Sequence, residues 1–452
     1  MERFFRLKEN HSNVRTELIA GITTFMTMAY ILAVNPNLLG KTGMDGGAVF
    51  TATALASAIG CFAMALLANL PFALSAGMGL NAYFTYSVCM GMGYSWEVAL
   101  AAVCVEGLIF ILLSLTNVRE AIFNAIPGEL KLAVSVGIGL FITFIGLQNA
   151  HVVVDGATLV TLFSFKEAIT TGTFASEGIT VLLALIGTLI TSLLVIKNVK
   201  GNILLGILIT WGLGILCQLT GLYVPNPEAD FYSLIPASLI AMPASLAPTF
   251  MKMDFSNVLS VNFLVVVFSF LFVDIFDTLG TLIGCASKAD MLDKDGKLPR
   301  IKGALLADAI GTTVGAVLGT STITTFVESS SGIAEGARTG LSSIVVGGLF
   351  LLSLFFSPVF LAIPSFATAP ALIVVGFFMM QQVAKIDWNN MLTAIPAFIC
   401  IFAMPFAYSI SEGIAFGIIS YTVLHLAGGK AKKVTPLMYV LTVIFILKYI
   451  FL

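Results

Sequence analysis

Apolar positions in this chain are not arranged as the one-sided stripes of a water-soluble helix. They form continuous runs such as "LLADAIGTTVGAVL" at residues 305–318 and "LSSIVVGGLFLLSLFF" at residues 341–356. About 20 such residues in helical form cross the ~30 Å of bilayer hydrocarbon. Fourteen runs of this kind begin near residues 17, 47, 79, 97, 128, 177, 202, 258, 301, 324, 341, 368, 389 and 410, and a further apolar stretch occupies 434–451. The pattern predicts an all-α polytopic membrane protein of fourteen spans, with the last stretch either crossing once more or lying along the inner face.

Composition agrees and excludes a soluble domain. Of 452 residues, 58% are hydrophobic and 10% charged, and the mean hydropathy is +1.02. Short polar connections leave room for one membrane domain over residues 1–452, with no attached soluble domain and no nucleic-acid interface. The first residues, "MERFFRLKENHSNVRTEL", lack the apolar core and cleavage site of a signal peptide. The net charge of −2 matters less than its placement. With a cytoplasmic N-terminus, eighteen Lys and Arg, including Arg119, Lys294, Lys297 and Lys433, fall in inside connections, against Lys41, Lys166 and Lys252 outside. Such a bias orients a protein of the cell membrane. The loop at 148–176 then reads as long, polar and external.

Cys61, Cys89, Cys104, Cys217, Cys285 and Cys400 are scattered singly through apolar runs, which points to packing and to neither metal nor disulfide. His11, His151 and His425 lie in tails, loops or near a span end and offer no intramembrane proton relay. No cofactor is implied.

An internal repeat organises the spans. "LASAIG" at 55–60 returns as "LADAIG" at 306–311, and the same offset of 251 lays "FMT" at 25–27 on "FDT" at 276–278. Repeat one is about 1–225 and repeat two about 252–430. Seven spans per half, an odd number, make the second half enter the membrane from the opposite side. That is the inverted repeat of many secondary transporters, whose substrate lies near the midplane where discontinuous helices meet.

At that offset "GTSTITTFVESSSGIAEGARTG" at 319–340, rich in Ser, Thr and Gly around Glu328, falls against "LSAGMGLNAYF" at 74–84, which carries Asn81. Both are third spans of their half, and both read as short extended segments leading into half-helices. Irregular backbone at membrane depth is tolerated only where protein buries it or it lines a polar cavity. In "FLFVDIFDTLGTLIG", Asp274 and Asp277 lie three residues apart and share a helix face. An acid at the centre of a span costs roughly 2.5–3.5 kcal/mol on insertion scales, so these acids should face a cavity or a partner. Glu106 and Asp308 stand isolated in small-residue helices and read as structural. Asp274, Asp277 and Glu328 converge on the predicted polar spot and read as functional.

These stretches, together with "TELIAGITTFMTMAYILAVNP" and "PFAYSISEGIAFGIISY", make the chain resemble the AzgA-like purine permeases, a branch of the nucleobase/cation symporter-2 family. The likeness covers nearly the whole chain. It implies fourteen spans in two inverted seven-span repeats, with half-helices in spans 3 and 10. It also implies a core domain from spans 1–4 and 8–11, a gate domain from spans 5–7 and 12–14, and proton-coupled uptake of hypoxanthine, guanine or adenine, with no enzymatic activity. Carried onto this sequence, the binding positions fall on Gly79, Asn81, Asp274, Asp277 and Glu328.

A purine presents N–H donors beside ring-nitrogen acceptors, which carboxylates and protonated carboxyls answer. Glu328 and Asp274 are expected on one ring edge, and Asn81 with the backbone around Gly79 and Val327 on the other. Tyr30, Tyr83 and Phe326 are candidates to stack on the ring, with packing as the competing role for each. Asp274, Asp277 or Glu328 would carry the proton. Oligomeric state stays open, a homodimer included. Two alternatives stand beside this reading. A same-fold carrier of a small anion would have to tolerate three acids at its site, and a Mg-dependent intramembrane enzyme would need more carboxylates near basic residues.

Overall fold

The computed structural model describes residues 2–115, 126–156, 159–226, 231–256, 258, 260–288, 291 and 298–451. Arg119, Lys294 and Lys297 of the charge pattern lie outside the described residues. Among the described residues, eleven helices are long and apolar enough to cross a membrane, from Val14–Gly40 to Ile410–Ala427. The chain is therefore an all-helical polytopic membrane protein.

Three of the fourteen expected spans are not long helices, for visible reasons. The run near 79 opens with a strand, β1 (Leu74–Ala76), before the chain turns helical at Met78–Ala82. The loop at 148–176, expected on the external side, contains a hairpin, β2 (Val153–Gly156) against β3 (Leu159–Leu162), followed by the helix Phe165–Thr171, where the sequence pattern showed only a polar loop. The run near 324 likewise opens with a strand, β4 (Ile323–Thr325), ahead of the six-residue helix Ser329–Ala334. The run near 389 is the 16-residue helix Met391–Phe406, which carries Pro396 and Pro405. Beyond them the stretch at 434–451 is a helix, Pro436–Phe451, joined to Ile410–Ala427 by a 2.8 Å hydrogen bond from Thr442 to Thr422.

β1 and β4 solve a backbone problem. Extended chain inside a bilayer carries N–H and C=O groups that water does not reach, so each strand must supply the other's partners. They pair antiparallel, with Leu74 opposite Thr325, Ser75 opposite Thr324 and Ala76 opposite Ile323. Phe326 N donates to Ala73 O at 2.9 Å and Gly77 N to Thr322 O at 3.1 Å, which lengthens the ladder at both ends. The β-branched run Ile323-Thr324-Thr325 suits this conformation. Helices close over the ladder because the repeated motif ends in glycine each time. A Cβ on Gly60 would come within 3.3 Å of Ile323 Cγ2, and one on Gly311 within 2.9 Å of the same atom.

The first membrane helix is broken between Val14–Met28 and Ile31–Gly40, with Tyr30 at the break. Pro36, further along, withholds the amide that would have bonded to the Leu32 carbonyl. At its other end Glu17, fully buried, accepts from the amides of Arg338 at 2.9 Å, Thr339 at 3.1 Å and Ser342 at 3.3 Å. One carboxylate from the first helix thus satisfies the N-terminus of the helix Gly340–Ser353, whose amides have no partner in their own helix. The segment between the repeats runs irregularly across one end, tied by Thr51 to Ala244 O and by Thr249 to Leu318 O, both at 3.0 Å.

Candidate functional site

The ladder of β1 and β4 gathers polar side chains from five stretches. On its helix-break side, Tyr30 Oη donates to Glu328 Oε1 at 2.8 Å. The same ring lies 6.5 Å from that of Phe326, tilted by 46°. Glu328 is half-buried and sits at the junction of β4 with Ser329–Ala334. Val327 beside it is 52% exposed in an otherwise buried run. Its carbonyl accepts from Cys285 Sγ at 3.6 Å.

Across the ladder, Asn81 is fully buried. Its Oδ1 accepts from Ser321 Oγ, while its Nδ2 has no hydrogen-bond partner among the described residues. A buried donor left open is costly, and a bound molecule with an acceptor would relieve that cost. Gly79 lets the chain pass close to Ile138, since a Cβ there would lie 2.9 Å from Ile138 Cγ2. Gly77 does the same for Thr324, whose Cγ2 would lie only 2.4 Å from an added Cβ, with Asp277 Oδ2 at 3.5 Å.

Behind the ladder lies a hub centred on the Thr278 hydroxyl. It is 2.9 Å from Asp274 Oδ1, 2.8 Å from Asp308 Oδ1 and 2.7 Å from Thr324 Oγ1. All four residues are essentially inaccessible. Asp277, one residue before the hub, faces Asp308 and Glu328 and reaches Thr324. Glu106 Oε2 accepts from Thr322 Oγ1 at 2.8 Å.

Tyr30, Phe326, Glu328 and Asp277 therefore share one neighbourhood, Asn81 reaches the segment before β4 through Ser321, and Gly79 lies against Ile138. Asp274 is fully buried, and its Oδ1 accepts from the Thr278 hydroxyl. Tyr83 is fully buried with its ring 4.8 Å from that of Phe270 in an edge contact, a packing arrangement. Asp308 and Glu106 are not isolated, as the sequence suggested. Glu106 accepts from Thr322, which comes to it across more than two hundred residues, and Asp308 accepts from Thr278 on the helix Val261–Lys288. Thr278 was not singled out from sequence. Its spacing of four from Asp274, one helical turn, was the available signal.

Comparison with known proteins fits this geometry. The chain is 47% identical over 464 residues to the guanine/hypoxanthine permease PbuG of Bacillus subtilis, with all of both chains covered. It is 39% identical over 453 residues to the adenine permease AdeP of Escherichia coli, covering all of this chain and 96% of that one. Among solved structures, the transmembrane domain of the cyanobacterial bicarbonate transporter BicA superposes with a TM-score of 0.62 at 16% identity, covering 90% of this chain and 97% of that domain, a likeness of fold alone. The Permease family profile matches residues 15–416, almost the entire described membrane region, and the chain belongs to that Permease family.

Proposed function

We propose that this chain imports purine nucleobases, namely guanine, hypoxanthine or adenine, together with protons across the cytoplasmic membrane. The observation that carries the reading is the pairing of a carboxylate, Glu328, held by Tyr30, with the open amide donor of Asn81 in the short helix that follows the facing strand. A purine is uncharged and flat, and offers N–H donors to the first and a ring-nitrogen acceptor to the second. Glu328 and Asp274 take one ring edge, and Asn81 with the backbone at Gly79 and Val327 the other. Tyr30 or Phe326 lies against the ring. The names of the relatives support the substrate class.

In this reading the chain crosses fourteen times as two inverted repeats with its N-terminus inside, the strand-led segments at 74–91 and 323–334 being the discontinuous spans. Spans 1–4 and 8–11 form a core that carries the site, and spans 5–7 and 12–14 a gate beside it. Inorganic anions fit less well, since carboxylates at the site repel them.

The test is uptake of labelled hypoxanthine, guanine and adenine by cells lacking their own permeases, with and without a protonophore. Protonophore-sensitive uptake, competed by unlabelled purines and not by bicarbonate, is expected. Uptake of bicarbonate without purine would sink the reading.

A further inference from the structure

The Thr278 hub raises a question of proton counting. Three oxygens lie within 2.7–2.9 Å of one hydroxyl oxygen, at Asp274, Asp308 and Thr324. Each such contact between oxygens needs a hydrogen, and a threonine hydroxyl supplies one. If Thr324 donates to Thr278 and Thr278 donates to one aspartate, the remaining contact needs a proton on the other aspartate. If Thr324 instead spends its hydrogen on Asp277, which it also reaches, the demand on the aspartates rises.

We propose that Thr278 and Asp308 are positioning residues for transport, holding the symported proton between Asp308 and Asp274 and through it clamping β4. The proposal rests on the proton-symport reading and deepens it. When the proton is bound, the helix Val261–Lys288, the helix Ile301–Leu318 and the strand are joined at one hydroxyl. When it leaves to water as hydronium, only an O–H bond is broken, and two carboxylates then compete for a single hydroxyl hydrogen. One of them must withdraw, and Thr324 loses its fixed partner. Glu328 lies four residues beyond Thr324 on the same segment, so release of the proton moves or frees the carboxylate that faces the purine. The groups that face the hub are Asp277, then Glu328 with Tyr30 beyond it, and Glu106 on Thr322.

The test uses purified full-length protein in proteoliposomes with a trapped pH-sensitive dye, comparing wild type with Asp308→Asn, Thr278→Val and Thr278→Ser. Two readouts are separated: exchange of labelled for unlabelled hypoxanthine, which needs no net proton movement, and accumulation driven by an acidic exterior. For one proton per purine, each pH unit supports about tenfold accumulation. Asp308→Asn and Thr278→Val should keep exchange while accumulation falls to about onefold and purine-evoked acidification of the lumen disappears. Thr278→Ser should restore both.

Acidification by Asp308→Asn equal to wild type overturns the proposal. So does joint loss of exchange and drive in monodisperse, well-inserted Asp308→Asn and Thr278→Val, which would mark a purely structural hub. If Asp308→Asn fails to insert, the Thr278 pair decides. Wild-type purine exchange without any proton movement would overturn the proposal and leave purine transport standing. Absence of purine exchange in wild type would overturn the functional reading itself.

Discussion

Tyr30 donates its phenolic hydrogen to Glu328 at 2.8 Å across 298 residues of sequence, from the break in the first membrane helix to the end of β4. Hydrogen bonds to charged groups are worth roughly 1.5–3 kcal/mol. Tyr30→Phe removes that bond and little volume, so purine affinity should weaken about tenfold with membrane abundance near wild type. Competition by unlabelled hypoxanthine measures the affinity. A variant with unchanged affinity and lowered abundance would assign the bond to folding instead.

Gly77 gives a test of the ladder. An added Cβ would come within 2.4 Å of Thr324 Cγ2, and Thr324 is not free to turn away because its hydroxyl is engaged with Thr278. Overpacking of this kind costs about 1–3 kcal/mol. Gly79→Ala meets only Ile138 Cγ2, at 2.9 Å on a flexible aliphatic side chain. Gly77→Ala should therefore lower the melting temperature in detergent more than Gly79→Ala. Equal melting temperatures would mean that the strand contact yields more readily than its hydrogen bonds suggest.

Glu17 is an acid whose task is structural. Its two oxygens serve the amides of Arg338, Thr339 and Ser342. Glu17→Ala leaves buried donors unmet, at about 1–3 kcal/mol each. Loss of folded protein is expected before any change in base preference, whereas Glu17→Gln, which keeps an acceptor oxygen, should be milder. Fluorescence-detected size exclusion of the two variants checks the order.

Orientation is tested at the two sides of the charge bias. Single cysteines placed at Lys433 and Lys166, in a background without the native cysteines, should label from the cytoplasmic and external sides respectively. External labelling at 433 would show that a span has been miscounted before that residue.

The sequence made some of this arrangement legible and concealed the rest for physical reasons. Apolar run length depends only on local composition, so eleven long helices could be read directly, as could the extended segments around residues 74 and 323. The repeat of "LASAIG" and "LADAIG" was visible, but its use was not, because only the fold shows Gly60 and Gly311 closing on the same Ile323. Asp308 and Glu106 looked solitary because periodicity reports neighbours on one helix, and their partners, Thr278 and Thr322, lie on another helix and on the segment before β4. Tyr30 was marked as a ring to stack on substrate, and what the fold adds is its hydroxyl. Glu17 gave no signal at all, since a helix N-terminus three hundred residues away cannot be read from the residues around it.

Glu328→Gln separates hydrogen bonding from charge at the position proposed to face the purine. Glutamine keeps the shape and one carbonyl oxygen, and so can still accept from Tyr30. What it cannot do is offer two acceptor oxygens, and an NH₂ turned toward a purine N–H sets donor against donor. A buried group left unpaired costs on the order of 1–3 kcal/mol, and 1.4 kcal/mol is a factor of ten, so affinity should fall about tenfold or more. Glu328→Asp keeps the charge but draws it back by one methylene, which stretches the Tyr30 bond and should leave partial transport with an altered order of base preference. Both variants should still move protons at saturating purine if the proton is held at the Thr278 hub. Uptake of hypoxanthine, guanine and adenine at matched membrane abundance and several pH values gives the answer. Wild-type affinity in Glu328→Gln would remove Glu328 from the binding site and leave its bond to Tyr30 as a tie between two segments.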